Sequence, residues 1–500
     1  MVAGFGSCVE DLPTALEYEG YEYADLDEGA GEWNLILMAD NEEVPIPVPA
    51  AVGSEALNQE LKEAKEKIAS ASRAQLEAVT YWTNNPLLRW NEIALELSVK
   101  YNLIPGPNAD GTYTLPNPAD PSATPNFPFA HPPYISRMLA YLSVAQYDGL
   151  VTSWHYKDKF GRSAPYVLDP QIVSAYADNG LNSYPSDGAV VAITSRDILS
   201  AMFPLEKEYL TRLAAEHLES LIISGINVKS DIDAGILIGN EVVKKALARA
   251  STDGMKDAQT PKAKSDSIKH AAFQRFGWQW DNMESPVRPV GLTPLFGKVK
   301  MWNVPTVEEI RPRVPPAPGS EEFNRDAEEL KRYAKNLTLE QRRIANFWND
   351  GLNTYSPPGH WNRFAKESTV KYRLSPVRTA RVFAYMNMAI VDAGIGCWDA
   401  KYYYHYPRPI QTIPGFKTIL GTPNFPSYAS GHSMFSGAAA EVLSYFFPSE
   451  QATFTKWAEE AAMSRVYGGI HYRFDSEEGV GTGRAIGRYS IARAKLDQAD

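Results

Sequence analysis

Residues 376–404 read PVRTARVFAYMNMAIVDAGIGCWDAKYYY, and this run decides the fold class. Ser375 is placed to cap a helix, and Pro376 stands at the first helical position, where a missing N–H costs nothing. No further proline interrupts the run until Pro407 and Pro409, which cannot continue a helix. The pattern predicts one long apolar helix over 376–404.

The neighbouring segments repeat the helical pattern. Downstream, Ser433–Phe447 is rich in small residues and stops at Pro448, and Ala452–Tyr467 and Gly481–Leu496 follow. Upstream lie Ser320–Leu337 and Leu339–Gly351. Further back, apolar residues at three- and four-residue spacing mark Ser54 to about Lys100, Tyr134–Leu150, Ser195–Ile223 and Asp231–Ala250. Strand-like segments are scarce, the best being Val190–Thr194. No internal repeat at a fixed period is evident. The expectation is an all-α protein of helical bundles, with functional residues projecting from facing helices of the C-terminal bundle.

Proline-rich stretches punctuate the chain. Residues 103–133 read as a loop, and RPRVPPAPGS at 311–320 suggests a boundary. The expected organisation is an extended, partly disordered lead-in at 1–55, an N-terminal helical half at 56–300 and a C-terminal helical bundle at 320–500.

With 500 residues and 44% apolar content the chain can build a full core. A formal net charge of -11 argues against a nucleic-acid partner, which needs a basic footprint. Two cysteines, Cys8 and Cys397, leave no disulfide framework and no zinc cluster. No stretch reaches the roughly 18 apolar residues of a transmembrane segment. Gly6-Ser7-Cys8 before an acidic stretch resembles the processing site of bacterial lipoproteins. That predicts an exported, periplasmic or membrane-tethered lipoprotein anchored through Cys8; the plain alternative is an ordinary cysteine in the tail of a soluble protein.

Three runs in the last hundred residues carry the chemistry. The first holds Lys401 and Arg408, flanking YYYHYP. The second is Pro426-Ser427-Tyr428-Ala429-Ser430-Gly431-His432, at the start of a predicted helix, where free amides and the helix dipole favour an anion. The third holds Ser464-Arg465, then His471 and Asp475. An arginine binds an oxyanion as a planar fork and a lysine binds it as a point charge. A hydroxyl and a glycine amide add neutral donors, and an Asp on one imidazole nitrogen makes the other a better ligand or nucleophile. Taken singly, each run has a structural explanation: cations at a helix C-terminus, a serine N-cap, a surface arginine beside a cap. Together, in an acidic protein, they predict a local cationic pocket for a tetrahedral or trigonal oxyanion.

Lys-x6-Arg-Pro, Pro-Ser-x2-Ser-Gly-His and Ser-Arg-x5-His-x3-Asp together resemble the signature of the vanadium-dependent haloperoxidase and type-2 phosphatidic acid phosphatase superfamily. Ala429 departs from its usual Pro-Ser-Gly-His. The resemblance covers about 398–475, and more loosely extends back to 340. In the haloperoxidase branch it implies vanadate as cofactor, its oxygens held by Lys401, Arg408, Ser430, Gly431 and Arg465, and its metal bonded to His471. His432 would move protons while hydrogen peroxide oxidises chloride, bromide or iodide to a hypohalous acid equivalent, with an organic acceptor as a further partner. In the phosphatase branch it implies His471 as a nucleophile forming phosphohistidine, His432 as general acid and Asp475 as the orienting group.

The peroxidase branch is favoured by His471-Tyr472-Arg473-Phe474-Asp475, by Trp398 and Phe425 at positions matching a chloroperoxidase halide pocket, and by Phe347-Trp348-Asn349-Asp350-Gly351. The last resembles a segment whose Asp pairs with the pocket arginine, which would make Asp350 the partner of Arg465. His360 and Trp361 resemble a segment common in bacterial members but receive no role. His405 and Tyr402–Tyr404 read as packing residues and Cys397 as a buried small one. Related scaffolds often dimerise, so the N-terminal half is an expected homodimer contact.

Overall fold

The computed structural model describes residues 21–82, 85–103, 131–175, 180–283 and 287–499; Cys8 and most of the loop read at 103–133 lie outside them. Among the described residues the regular elements are all helices. The first eight are α1 (Glu55–Ala69), α2 (Arg73–Trp82), α3 (Pro86–Tyr101), α4 (Pro132–Phe160), α5 (Pro165–Leu168), α6 (Asp187–Met202), α7 (Lys207–Ile223) and α8 (Lys229–Thr252). Then follow α9 (Lys262–Phe276), α10 (Glu321–Asn336), α11 (Leu339–Phe347), α12 (Ser356–Tyr372) and α13 (Pro376–Tyr404). The chain ends in α14 (Pro409–Thr412), α15 (Gly431–Phe446), α16 (Gln451–Tyr467) and α17 (Arg473–Ala494). No described helix is long and apolar enough to cross a membrane.

The long helix forms as its sequence predicts. Ser375 accepts from Arg378 N, Pro376 occupies the first turn, and His405 ends the helix with φ 51°. Nearly all of α13 is buried, and it packs along α4, a second 29-residue helix that starts on a proline and ends on Gly161 with φ 59°. Both helices are wrapped on all sides, which is why neither shows a polar face.

Each of the two is the spine of a bundle. α4 packs with α6 and α8, and α6 with α7; α13 packs with α15 and α17, and α15 with α16. The starts of α4 to α8 (132, 165, 187, 207 and 229) and of α13, α14, α15, α16 and α17 (376, 409, 431, 451 and 473) differ by the same 244 residues. Hydrogen bonds repeat at that interval. Arg137 donates to Asp253 at 2.7 Å and to Ala250 O at 2.8 Å; Arg381 donates to Asp497 at 2.8 Å and to Ala494 O at 3.1 Å. Asp148 and Asp392 share that interval and the same role toward straps that do not: Asp148 collects the backbone N–H groups of Ile36, Leu37 and Met38, and Asp392 those of Trp302, Asn303 and Val304. The chain is therefore a tandem repeat of long period, contrary to the reading of the sequence. The interval exceeds the span of any local comparison, and most matched positions differ in residue type.

Three other expectations change. Val190–Thr194 is not a strand but the buried centre of α6; its β-branched run is helical because Ser186 caps it and both faces are covered. The last helix begins at Arg473, about two turns before the expected Gly481. The lead-in, over its described part, is extended but not loose. Trp33, Met38 and Val44 sink into the core, and Asp148 anchors the strap at 36–38.

Candidate functional site

The three motif runs converge because of how their helices end. Lys401 sits in the last turn of α13, and the left-handed His405 turns the chain so that Arg408 points back under it. The imidazole of His405 accepts from Trp280 N at 3.1 Å and is a core cap, as expected. Ser430 caps α15 by accepting from Ser433 N at 3.4 Å, which puts Gly431 and His432 in the first turn. Arg465 lies near the end of α16. Gly469, at φ 76°, then turns the chain back over the Phe416 ring and delivers His471 just ahead of α17. Asp475 is the third residue of α17 and accepts from Tyr472 N at 3.3 Å.

His471 and Asp475 meet through this capping arrangement. His471 Nδ1 donates to Asp475 Oδ2 at 2.8 Å, and Ser427 Oγ donates to the same oxygen while lying 3.3 Å from Nδ1. With its proton on Nδ1, the ring keeps the lone pair of Nε2, which accepts from Arg408 Nη1 at 3.0 Å. Arg408 also donates to Ile470 O at 2.8 Å and Phe425 O at 3.0 Å. Ser427 was not singled out from the sequence. Its signal was the Pro-Ser pair three residues ahead of the expected position.

Lys401, Arg408 and Arg465 are all buried. Lys401 directs its three donors to the carbonyls of Pro426, Ser427 and Ala429, at 2.9, 2.8 and 2.7 Å, and so shapes the motif loop. Arg465 donates to the carbonyls of Ala345, Trp348 and Asn349. Burial lowers the pKa of Lys401 and brings both arginines down to about 10. It raises that of Asp475, and, with the cations, holds His471 and His432 well below the usual imidazole value. Both histidines are thus neutral. Each buried cation carries a desolvation penalty of several kcal/mol, which a bound anion would offset.

His432 Nε2 donates to Asn349 O at 3.2 Å, leaving Nδ1 as an acceptor. The expected ion pair between Asp350 and Arg465 is not formed. Both oxygens of Asp350 lie 3.0 Å from His360 Nδ1, and the arginine is satisfied by carbonyls of the same segment, so Asp350 acts on it only through charge. His360 stacks on Trp348 at 4.6 Å and is buried, which gives the segment 356–361 a place beside the site. Trp398 lies 5.1 Å from Phe425, whose ring is 5.0 Å from Lys401 Nζ and 5.2 Å from the Arg408 guanidinium. This is an apolar wall against the cations.

The donor set suits an oxyanion. The Ser430 hydroxyl proton has no acceptor among the described residues, the amide of Gly431 lies in the first turn of α15, and His471 Nε2 offers a lone pair to a metal in the same place.

Residues 381–495 match the PAP2 superfamily model. Over 128 residues the chain is 27% identical to the vanadium chloroperoxidase of Curvularia inaequalis, covering 20% of this chain and 21% of that protein. The chain thus spans about a fifth of the length of the curated relative it matches. Among solved structures, one described as the first bacterial vanadium-dependent iodoperoxidase aligns with TM-score 0.56 and 24% identity, over 72% of this chain and 91% of that one. A holo-type bacterial vanadium-dependent chloroperoxidase aligns with TM-score 0.50 and 13% identity, over 73% and 91%. Residues 381–495 are therefore a PAP2 superfamily domain, in a chain whose fold is that of the bacterial vanadium haloperoxidases.

Proposed function

We propose that the protein is a vanadate-dependent haloperoxidase, oxidising a halide with hydrogen peroxide. The observation that carries this reading is His471, clamped on Nδ1 by Asp475 and Ser427 and presenting Nε2 within a set of buried cations. Vanadate, when bound, supplies a Lewis acid that polarises hydrogen peroxide.

The chain's own residues do the rest. His471 Nε2 would hold the metal in place of its bond from Arg408 Nη1, which would leave that donor for an oxyanion oxygen. Arg465 and Lys401 add positive charge, and Ser430 and Gly431 add neutral donors. Lys401 contacts the anion directly only by exchanging one of its three carbonyl bonds. His432 accepts a proton at Nδ1 while Asn349 O holds its other nitrogen. Trp398 and Phe425 form a dry edge against which a large, weakly hydrated halide can rest. The hypohalous acid equivalent leaves, with or without an organic acceptor.

The PAP2 match supports a second reading, an acid phosphatase. A neutral His471 oriented by Asp475 is equally placed to attack phosphorus, with His432 protonating the leaving alcohol. Metal-free protein given hydrogen peroxide, bromide or iodide and a phenol dye separates the two. Oxidation that requires orthovanadate supports the haloperoxidase. Hydrolysis of a phosphate ester that orthovanadate inhibits, without halide oxidation, supports the phosphatase.

A further inference from the structure

The 244-residue interval places a second copy of the pocket in the N-terminal bundle. Lys157 stands for Lys401, Ser183 for Ser427, Ser186 for Ser430 and Asp231 for Asp475. The backbone is the same. Ser186 N donates to Asp231 O at 2.9 Å as Ser430 N donates to Asp475 O at 3.0 Å, and Ser183 N donates to Arg162 O as Ser427 N donates to Tyr406 O. Lys157 Nζ donates to Asn182 O as Lys401 Nζ donates to Pro426 O. Gly225 and Gly469 turn the chain with φ 79° and 76°.

The groups that would touch an anion are different. Arg408, His432, Arg465 and His471 have Ala164, Gly188, Leu221 and Asn227 as their counterparts. We infer that the N-terminal bundle carries a closed copy of the oxyanion pocket, plugged by Leu221 and neutralised by the chain's own carboxylates, so that it takes no anion.

Three observations support this. The volume is filled: a Cβ on Gly188 would lie 2.6 Å from Leu221 Cδ2, and Leu221 is buried in a local apolar cluster. The charge is balanced in number, although Arg162 Nε and Nη1 keep no hydrogen-bond partner among the described residues. Asp187, in the place of Gly431, pairs with Lys157 at 3.0 Å, and Arg162 pairs with Asp231. In the C-terminal copy the position of Arg162 is Tyr406, whose hydroxyl goes to Pro316 O, and Asp475 Oδ1 has no partner among the described residues. The lone pair is gone as well. The amide of Asn227 donates to Ser183 O at 3.0 Å and accepts from Ser186 Oγ at 2.9 Å, so it cannot act as a metal ligand, and the serine hydroxyl is spent.

The comparison rests on the oxyanion reading of the C-terminal pocket, and the experiment separates the two claims. Orthovanadate binding to the full-length, phosphate-free protein is counted by equilibrium dialysis. It is repeated on the triple variant Arg408→Ala, Arg465→Leu, His471→Asn, which gives the C-terminal pocket three of the four N-terminal counterparts. Arg465→Leu alone serves as a milder second variant, with circular dichroism and a melting curve to check folding. The expected result is one equivalent per wild-type chain, none in the triple variant, and at least a tenfold loss of affinity in the single one. A second wild-type equivalent, or one that survives in the folded triple variant, overturns the inference. No binding to the wild type overturns the oxyanion reading instead, and the N-terminal pocket remains closed as inferred.

Discussion

Asp475 accepts the Nδ1 proton of His471 at 2.8 Å, and that bond fixes which ring nitrogen keeps a lone pair. An amide at 475 offers one oxygen and an unwanted donor, so the ring loses its tautomer and its aim. Asp475→Asn is expected to weaken orthovanadate binding by about 10–100-fold, the usual cost of losing a ligand's supporting partner. His471→Ala is expected to abolish it. Calorimetric titration reads both; full affinity in His471→Ala removes His471 from the site, and full affinity in Asp475→Asn removes the carboxylate as its support.

Ser427 donates to the same carboxylate oxygen. Removing a hydrogen bond to a charged group costs about 1.5–3 kcal/mol, so Ser427→Ala is expected to lower orthovanadate affinity by about 10–100-fold at most. A change in the melting temperature with binding untouched would make Ser427 a packing residue only.

The two arginine–aspartate pairs at 137/253 and 381/497 occupy matched places but differ in exposure. Arg381 is 1% exposed as a side chain and Arg137 is 20%. Asp497→Asn strands a buried guanidinium and is expected to cost about 3–5 kcal/mol in denaturant unfolding. Asp253→Asn is expected to cost clearly less, because solvent reaches Arg137. Equal losses would contradict this account.

Asp148 and Asp392 are each pushed up from 3.8 to about 6, because burial outweighs three backbone N–H bonds. A raised carboxyl pKa means the folded state holds a proton that the unfolded state has released between about pH 4 and 6. The associated stability is complete below pH 4, is lost as pH rises through 6 and is constant above, about 3 kcal/mol per group at most. Comparing urea unfolding of the parent with Asp148→Asn and Asp392→Asn at pH 4, 5, 6 and 7 isolates the contribution. The parent's advantage should shrink with rising pH; an advantage that grows reverses the sign and refutes the assignment.

The sequence made the C-terminal half legible because its signals are local. Ser375 and Pro376 start a helix and Pro407 and Pro409 forbid its continuation, so α13 could be read to the residue. The same holds for Ser430 as the cap of α15. What the sequence hid depends on distant partners. Val190–Thr194 is β-branched by composition, and only the packing of α4, α7 and α8 around it makes it helical. The role of Asp350 was misread because His360, ten residues on, competes for it. Ser427 shares its partner with His471, which no spacing reveals.

The matched backbones also make the N-terminal bundle a ready receptor for protein engineering. Gly188 and Leu221 obstruct each other in the way His432 and Arg465 do not, so Gly188→His is sterically blocked until Leu221 is exchanged. Grafting must therefore proceed in pairs, with Leu221→Arg before Gly188→His and Asp187→Gly before Asn227→His. A chain altered in that order, with Ala164→Arg added, would carry a second candidate oxyanion pocket on one scaffold.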